Sequence, residues 1–420
     1  MNFRLPITLI ATALMISGCG GVKTTDTVFP TTAGACAQGA SQERFIVQWE
    51  DGTFTVENGS SPESFRSSFV SANLHLIRHV DQDQHVQVIQ QNSAQAFAGD
   101  VITQASAVNW GPQSVEAPAL WSQGINGEGI IVGVVDGMVD TTHVQLTDNI
   151  LINSGEIPDN GIDDDHNGFI DDYKGVQVNK EVNDPALNQH GTHVSGIIVA
   201  AHDKGTITGI SEKAKVLPAQ FIGNDGGGSI GDAIVALNYV ANRGAKIINM
   251  SWGLDPCVEV PNLEATLSAL NARGILLVTA AGNGDKRGQG INMDINPAYP
   301  SAYNFTNQLN VAASSAYGLL AGFSNFGIRS VHVAAPGVGI WSTVPGNAKD
   351  EMTGTSMAAP LVSGAAALIW GAIPSATATE VKDALMRSVD VNSGSPLDVK
   401  SGGIINVKSA LAMLKTITGK

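Results

Sequence analysis

Cysteine is scarce, with three in 420 residues, so at most one disulfide can form within the chain. Positive charge is short as well: 23 lysines and arginines face 38 aspartates and glutamates, a formal charge of −15. A chain this acidic lacks the electrostatic footprint of a nucleic-acid binder, which excludes polyanions as partners. Long apolar runs are also missing. The run Leu5–Ile16 is too short for an ordinary membrane-spanning helix, and neither a spanning stretch nor an internal repeat interrupts the remainder.

What is present is 43% hydrophobic residues, 15% charged residues and 47 glycines, the make-up of a compact, turn-rich globular protein able to bury a large core. At the N-terminus, Arg4 precedes the apolar run and "ISGC" places Cys19 behind two small residues. This resembles a bacterial lipoprotein signal with its lipobox; a simple secretory signal is the plainer reading of the same features. On the lipoprotein reading Cys19 is the lipidated first residue of an exported chain, held to a membrane by its acyl chains. Gly20 stands where an aspartate would indicate inner-membrane retention, so the expected location is the outer membrane or cell surface. For Cys36 and Cys257, two free thiols and one long-range disulfide both remain open.

Hydrophobic patterning divides the chain into a signal (1–18), a small and polar flexible tether (19–42), an α+β unit (43–105) and one α/β domain (106–420). In the α+β unit "RFIVQWEDG" alternates like a strand, "SPESFRSSFVSANLHLIRHV" has helical spacing and "QHVQVIQ" is a second strand. Beyond it, apolar strands alternate with helices. Strands are expected at Ile130–Asp136, Lys215–Ile222, Lys246–Ser251, Ile275–Ala280, Leu309–Ala313 and Val331–Ala335. Helices are expected near 191–202, 230–242, 262–272, 356–371, 377–388 and 406–415. That alternation implies a three-layer α/β fold, a mostly parallel twisted sheet with helices on both faces.

Four short segments carry chemistry. "VVD" ends an apolar run at Asp136, and "HGTHVSG" puts His190 at a helix start, where a near-neutral imidazole suits proton transfer; a structural histidine is the plainer reading of that motif taken alone. "GTSMAAP" puts Ser356 at the mouth of another helix, whose first N–H groups and dipole favour a developing negative charge; an N-cap role is the plainer reading of that serine. "AAGNG" sets Asn283 in a glycine-framed turn after a buried strand, as a side-chain donor for an oxyanion or as an ordinary turn residue.

With "NMSWG" and "AAPG" between them, these segments appear in the order of the subtilisin-like serine peptidases, the subtilase family, and the resemblance covers roughly residues 110–411. It implies that Asp136 orients, His190 acts as general base and then acid, Ser356 is the nucleophile and Asn283 the oxyanion donor, while His193 is structural. It also implies that Gly226, Gly227, Gly228, Ser251, Trp252, Gly253, Ala281 and Gly282 line the peptide-binding edge, pairing with an extended substrate through backbone hydrogen bonds. Trp252 would floor a subsite or lie in the core. The expected partners are protein or peptide substrates, cut within the chain and with broad tolerance.

The family pattern places the 43–105 unit as a propeptide, an inhibitor until cut; a permanent accessory domain is the alternative. A cut near 100–108 would leave the lipid on that unit and release the catalytic region, unless a Cys36–Cys257 bond joined the two. Separately, "NGIDDDHNGFIDD" begins like a calcium loop, Asp163-x-Asp165-x-Asn167-Gly168, with Lys174 at the twelfth position and Asp171 or Asp172 left to supply the missing carboxylate. Ca2+ held by Asp163, Asp165, Asn167 and Asp171 stands against a solvated acidic loop. A subtilase-like surface-binding protein without turnover is the alternative to an enzyme. One departure marks the site: Gly137 and Met138 follow Asp136 where the family has Ser or Thr and then Gly. Gly137 is expected to take up an unusual backbone angle there.

Overall fold

A computed structural model describes residues 23–30, 40–87, 108–179, 184, 188–254, 260–391 and 396–420. Cys19, Cys36, Cys257 and the 100–107 stretch lie outside the described residues.

Seven strands form one sheet in the order β11-β10-β9-β8-β4-β6-β5, and its pairings are parallel. They are β4 (Ile131–Asp136), β5 (Val176–Gln177), β6 (Lys215–Gln220), β8 (Ile247–Met250), β9 (Leu276–Ala280), β10 (Gln308–Ser314) and β11 (Val333–Pro336). The expected strands all form, each within a few residues of its anticipated bounds. Successive side chains of a strand face opposite layers, and the two cores divide accordingly. Val132 and Val134, Ile247, Leu276 and Val278 pack with the helices His190–Val199, Thr355–Ala372, Ala378–Arg387 and Val407–Thr418. Val135, Ile248 and Leu277 pack with Ile230–Asn242 and Pro261–Ala272. Burial on both faces explains why these strands read as continuous apolar runs. The Thr355–Ala372 helix is long and apolar enough to cross a membrane, yet 89% of its apolar window is buried within the protein.

An antiparallel hairpin, β12 (Ile340–Val344) with β13 (Ala348–Met352), was not anticipated. The sequence of β13, Ala-Lys-Asp-Glu-Met, has no strand-like apolar pattern and is extended because it pairs with its neighbour.

Residues 40–87 form β1 (Ala40–Trp49), β2 (Phe54–Asn58), a helical segment over 62–73 and β3 (Ile77–Gln87). The helical spacing noted through Val80 therefore stops earlier, and Ile77 and Val80 are buried strand residues. The stretch expected as tether contains a helical turn, Thr25–Val28, capped by Thr24. It docks because Val28 and Phe29 are apolar: Phe29 meets Phe45 edge-on at 5.6 Å, and Phe45 stacks on Phe65 at 4.1 Å.

This N-terminal sheet runs β2-β1-β3-β7, and β7 is Gly227–Ser229. β3 pairs antiparallel with it, His85 opposite Ser229 and Gln87 opposite Gly227. Two carboxylates of β3 cap helix N-termini, where free N–H groups and the helix dipole welcome them. Asp83 accepts from the Gly231 amide at 2.9 Å and Asp81 from the Asn262 amide at 2.7 Å. Arg44 adds an ion pair to Asp232 at 2.8 Å.

Candidate active site

Asp136 is the last residue of β4, so its side chain emerges where the sheet meets the loops at the C-terminal strand ends. His190 opens its helix. His190 Nδ1 lies 2.7 Å from Asp136 Oδ1, and both side chains are essentially closed to solvent. The same carboxylate oxygen accepts the Gly137 N–H at 2.6 Å. Gly137 has no positive φ, contrary to expectation; what it supplies is room, since a Cβ there would lie 3.1 Å from three atoms of the Asn188 side chain. Gly191 is equally constrained, because its Cβ would come within 2.3 Å of the Gly137 carbonyl oxygen.

Ser356 is the second residue of the Thr355–Ala372 helix, with Gly354 as N-cap. The serine is thus not the cap. Its hydroxyl donates to the Ser251 carbonyl at 3.0 Å, and Ser251 Oγ donates back to the Ser356 carbonyl at 3.0 Å. His190 Nε2 is buried and has no hydrogen-bond partner among the described residues. Asn283 is pinned from the helix start: its Oδ1 accepts from Thr355 N and Thr355 Oγ1, each at 2.8 Å. That acceptor role turns the amide nitrogen the other way. A Cβ on Gly354 would lie 3.2 Å from Asn283 Nδ2 and 3.6 Å from Ser356 N, so both donors border one small space.

Of the residues expected along the peptide edge, Gly227 and Gly228 lie in β7, paired with β3 of the same chain, and Gly226 turns the loop before it with φ +79°. Gly282 has φ +105° and donates to Thr355 Oγ1 at 3.1 Å; Ala281 before it is buried. Trp252 lies in the core: it is 3% exposed, donates to the Val135 carbonyl at 2.9 Å and meets Phe221 edge-on. Gly253 follows it, its Cβ position 3.3 Å from the Tyr299 carbonyl. His193 is buried and holds the β12–β13 hairpin through the Ile340 and Asp350 carbonyls at 3.0 and 3.2 Å. Desolvation, with His190 nearby, pushes its pKa down to about 3, so it stays neutral.

In the acidic loop, ligand oxygens of Glu156, Asp165 and Asp172 lie within 4.8 Å of one another. Asp163 and Asp171 face inward on the loop itself, accepting from the amides of Asn167 and Gly168, and of Asn160 and Gly161. Asn167 turns its amide nitrogen to Asp172 at 2.9 Å. Of the carboxylates expected as ligands, Asp165 and Asp172, the alternative to Asp171, therefore belong to the cluster, and Asp163 and Asp171 do not. Glu156 was not foreseen, as it stands seven residues ahead of the motif, and its proximity to Asp165 comes from the fold of the loop. Glu156 and Asp172 are at most 5% exposed, and among the described residues Arg243, 3.2 Å from Asp165, is the one cation in an ion pair with these three carboxylates. Three carboxylates against one guanidinium form a hard-oxygen set that could hold a metal ion.

The model of the subtilase family matches residues 127–406. The chain is 35% identical over 263 residues to a Bacillus subtilis (strain 168) protein named "Major intracellular serine protease", covering 62% of this chain and 74% of that one. It is 30% identical over 306 residues to "Subtilisin BL" of Lederbergia lenta, covering 73% of this chain and 99% of that one. It is also 30% identical over 311 residues to an "Alkaline protease" of Alkalihalobacillus alcalophilus, with 74% and 72% covered.

Proposed function

This chain belongs to the subtilase family and is a serine-type endopeptidase, and from that premise we propose that it cuts extracytoplasmic proteins with Asp136, His190 and Ser356 as its triad. The observation that carries the assignment is the buried 2.7 Å bond between Asp136 and His190, on elements that also bring Ser356 and Asn283 together. Asp136 fixes the imidazole so that Nδ1 carries a proton and Nε2 stays a base. The Ser356 hydroxyl, bonded to Ser251 here, re-aims by rotating about its Cα–Cβ bond and passes its proton to Nε2 as Oγ attacks the peptide carbonyl. The oxyanion forms in the space bordered by Ser356 N–H and Asn283 Nδ2, which are fixed before the reaction and need no reorganisation. His190 then protonates the leaving amine, and water hydrolyses the acyl-enzyme.

The 43–105 region acts as an inhibitory propeptide. What supports this is β3 seated on β7, the edge a peptide substrate would use, with Asp81 and Asp83 fastening it to two helices. Ca2+ is the ion for Glu156, Asp165 and Asp172: hard oxygen donors with surplus negative charge suit it, and its part is to stabilise the loop. Cys19 carries lipid, and the docked Thr25–Phe29 segment brings the anchor within a few residues of the folded propeptide. Cleavage in the segment after β3 would free the catalytic region from the membrane. The test is processing in cells: wild-type chain should yield a released, casein-hydrolysing fragment, whereas Ser356→Ala should stay full length and membrane-bound. Equal processing of both would remove the autocatalytic propeptide from this account.

A further inference from the structure

We infer that Asn188 is a positioning residue that sets the catalytic histidine and the peptide-binding edge in register, with Gly137 as its steric counterpart; this rests on the triad reading above. Asn188 is 4% exposed and stands two residues before His190. Its Oδ1 accepts the His190 backbone N–H at 3.1 Å, the local turn that asparagine forms with its own chain. Its Nδ2 donates to the Gly223 carbonyl at 2.7 Å. Gly223 in turn donates to the Gly227 carbonyl at 2.5 Å and accepts from Gly226 N at 3.1 Å, which shapes the loop entering β7. One side chain therefore ties the start of the histidine helix to the edge that binds peptide.

The third contact is steric. The Asn188 amide lies over Gly137, 3.1 Å from a Cβ position there through Cγ, Nδ2 and Oδ1 alike. A serine or threonine at 137, the family's usual choice, would have to displace it. Both recorded donors to Asp136, Gly137 N and His190 Nδ1, meet Oδ1, while Oδ2 is buried with no hydrogen-bond partner among the described residues. The imidazole is thus oriented by one carboxylate oxygen and by the backbone anchor that Asn188 provides, in place of a hydroxyl network around the aspartate.

Steady-state kinetics on a peptide substrate, with the full chain after it has matured, separate the two hydrogen bonds. Asn188→Ala loses both and should lower kcat by roughly ten- to a hundredfold, the scale of a small misplacement of catalytic groups, and raise KM. Asn188→Ser keeps an acceptor for His190 N but cannot reach Gly223, so it should recover most of kcat and retain the raised KM. Gly137→Ser alone should lower kcat, and in the Asn188→Ala background its further cost should shrink because the obstructing amide is gone. Asn188→Ala with wild-type kcat and KM, equal losses in the Ala and Ser variants, or losses that simply multiply in the double variant would each overturn the inference. If Asn188→Ala does not fold, the other two variants decide it: a wild-type KM in Asn188→Ser, or a wild-type kcat in Gly137→Ser, overturns the inference. Ser356→Ala separates the two levels: activity surviving there defeats the triad reading, whereas its loss alongside wild-type-like Asn188 variants defeats only this inference.

Discussion

Asn283 Oδ1 accepts two hydrogen bonds from Thr355, one from its amide and one from its hydroxyl, each 2.8 Å long. The threonine beside the nucleophile thereby fixes the asparagine's flip and presents its nitrogen beside the Ser356 amide. Asn283→Ala should lower kcat by about 10²–10³ with little change in KM, the usual cost of one oxyanion donor. Thr355→Val, which removes the hydroxyl donor to Asn283 and the acceptor for Gly282 N–H but leaves the Thr355 amide donor, should cost less. Steady-state kinetics check both, and a KM effect without a kcat effect would place Asn283 in ground-state binding.

Acid should loosen the catalytic core through two histidines. Burial holds His193 neutral with a pKa near 3 and His332 near 2, and His332 Nδ1 already accepts from the Asn310 amide at 3.0 Å. The unfolded chain protonates these rings below their ordinary 6.5 while the folded chain does not. Their stability is therefore complete above 6.5 and lost as pH falls towards 3, by up to about 1.4 kcal/mol per pH unit for each ring. Urea denaturation of Ser356→Ala from pH 7 to 4 reads this slope. His332→Gln should make it shallower by one group's share, and an unchanged slope would contradict the assignment.

Propeptide docking should have the opposite sign. Desolvation raises the Asp83 pKa against the pull of Arg44, with Asp232 pushing the same way as burial. A proton is then bound more tightly when β3 is docked, so docking strengthens on acidification and weakens as pH rises through the raised pKa. In the full-length Ser356→Ala chain, hydrogen exchange at Val86 and Gln87 should slow at lower pH beyond the intrinsic trend. Asp83→Asn, which keeps an acceptor for Gly231, should remove that excess.

Removing calcium should lower Tm. A ligand at a hundred times its Kd stabilises the folded state by about 2.7 kcal/mol, and chelation forfeits that. Glu156→Gln with Asp172→Asn should abolish the chelator-sensitive shift, whereas Asp163→Asn should leave most of it, since that carboxylate serves loop amides. A full shift in the double variant would place the ion elsewhere.

The parallel sheet and its helices were legible because strands buried on both faces are apolar throughout and end at turns. The positions of the candidate site residues were legible too, since Asp136 ends a strand, His190 and Ser356 begin helices and Asn283 lies in the turn after β9. What escaped depends on pairing or on side-chain direction. β13 is polar and extended only by its partner, Trp252 turns into the core to satisfy its indole N–H on Val135, and Glu156 joins the acidic cluster through loop folding. The departure at Gly137 was visible, but its cause was not: Asn188, fifty-one positions away, fills the space.

The central claim is that Ser356 is a nucleophile activated by His190. Its most direct test is mass-spectrometric mapping of a fluorophosphonate adduct on the matured protein. The adduct should appear on Ser356 and vanish in His190→Ala from which the propeptide has been removed by an added protease. A folded, matured protein that takes no label, or takes it on another serine, would contradict the account.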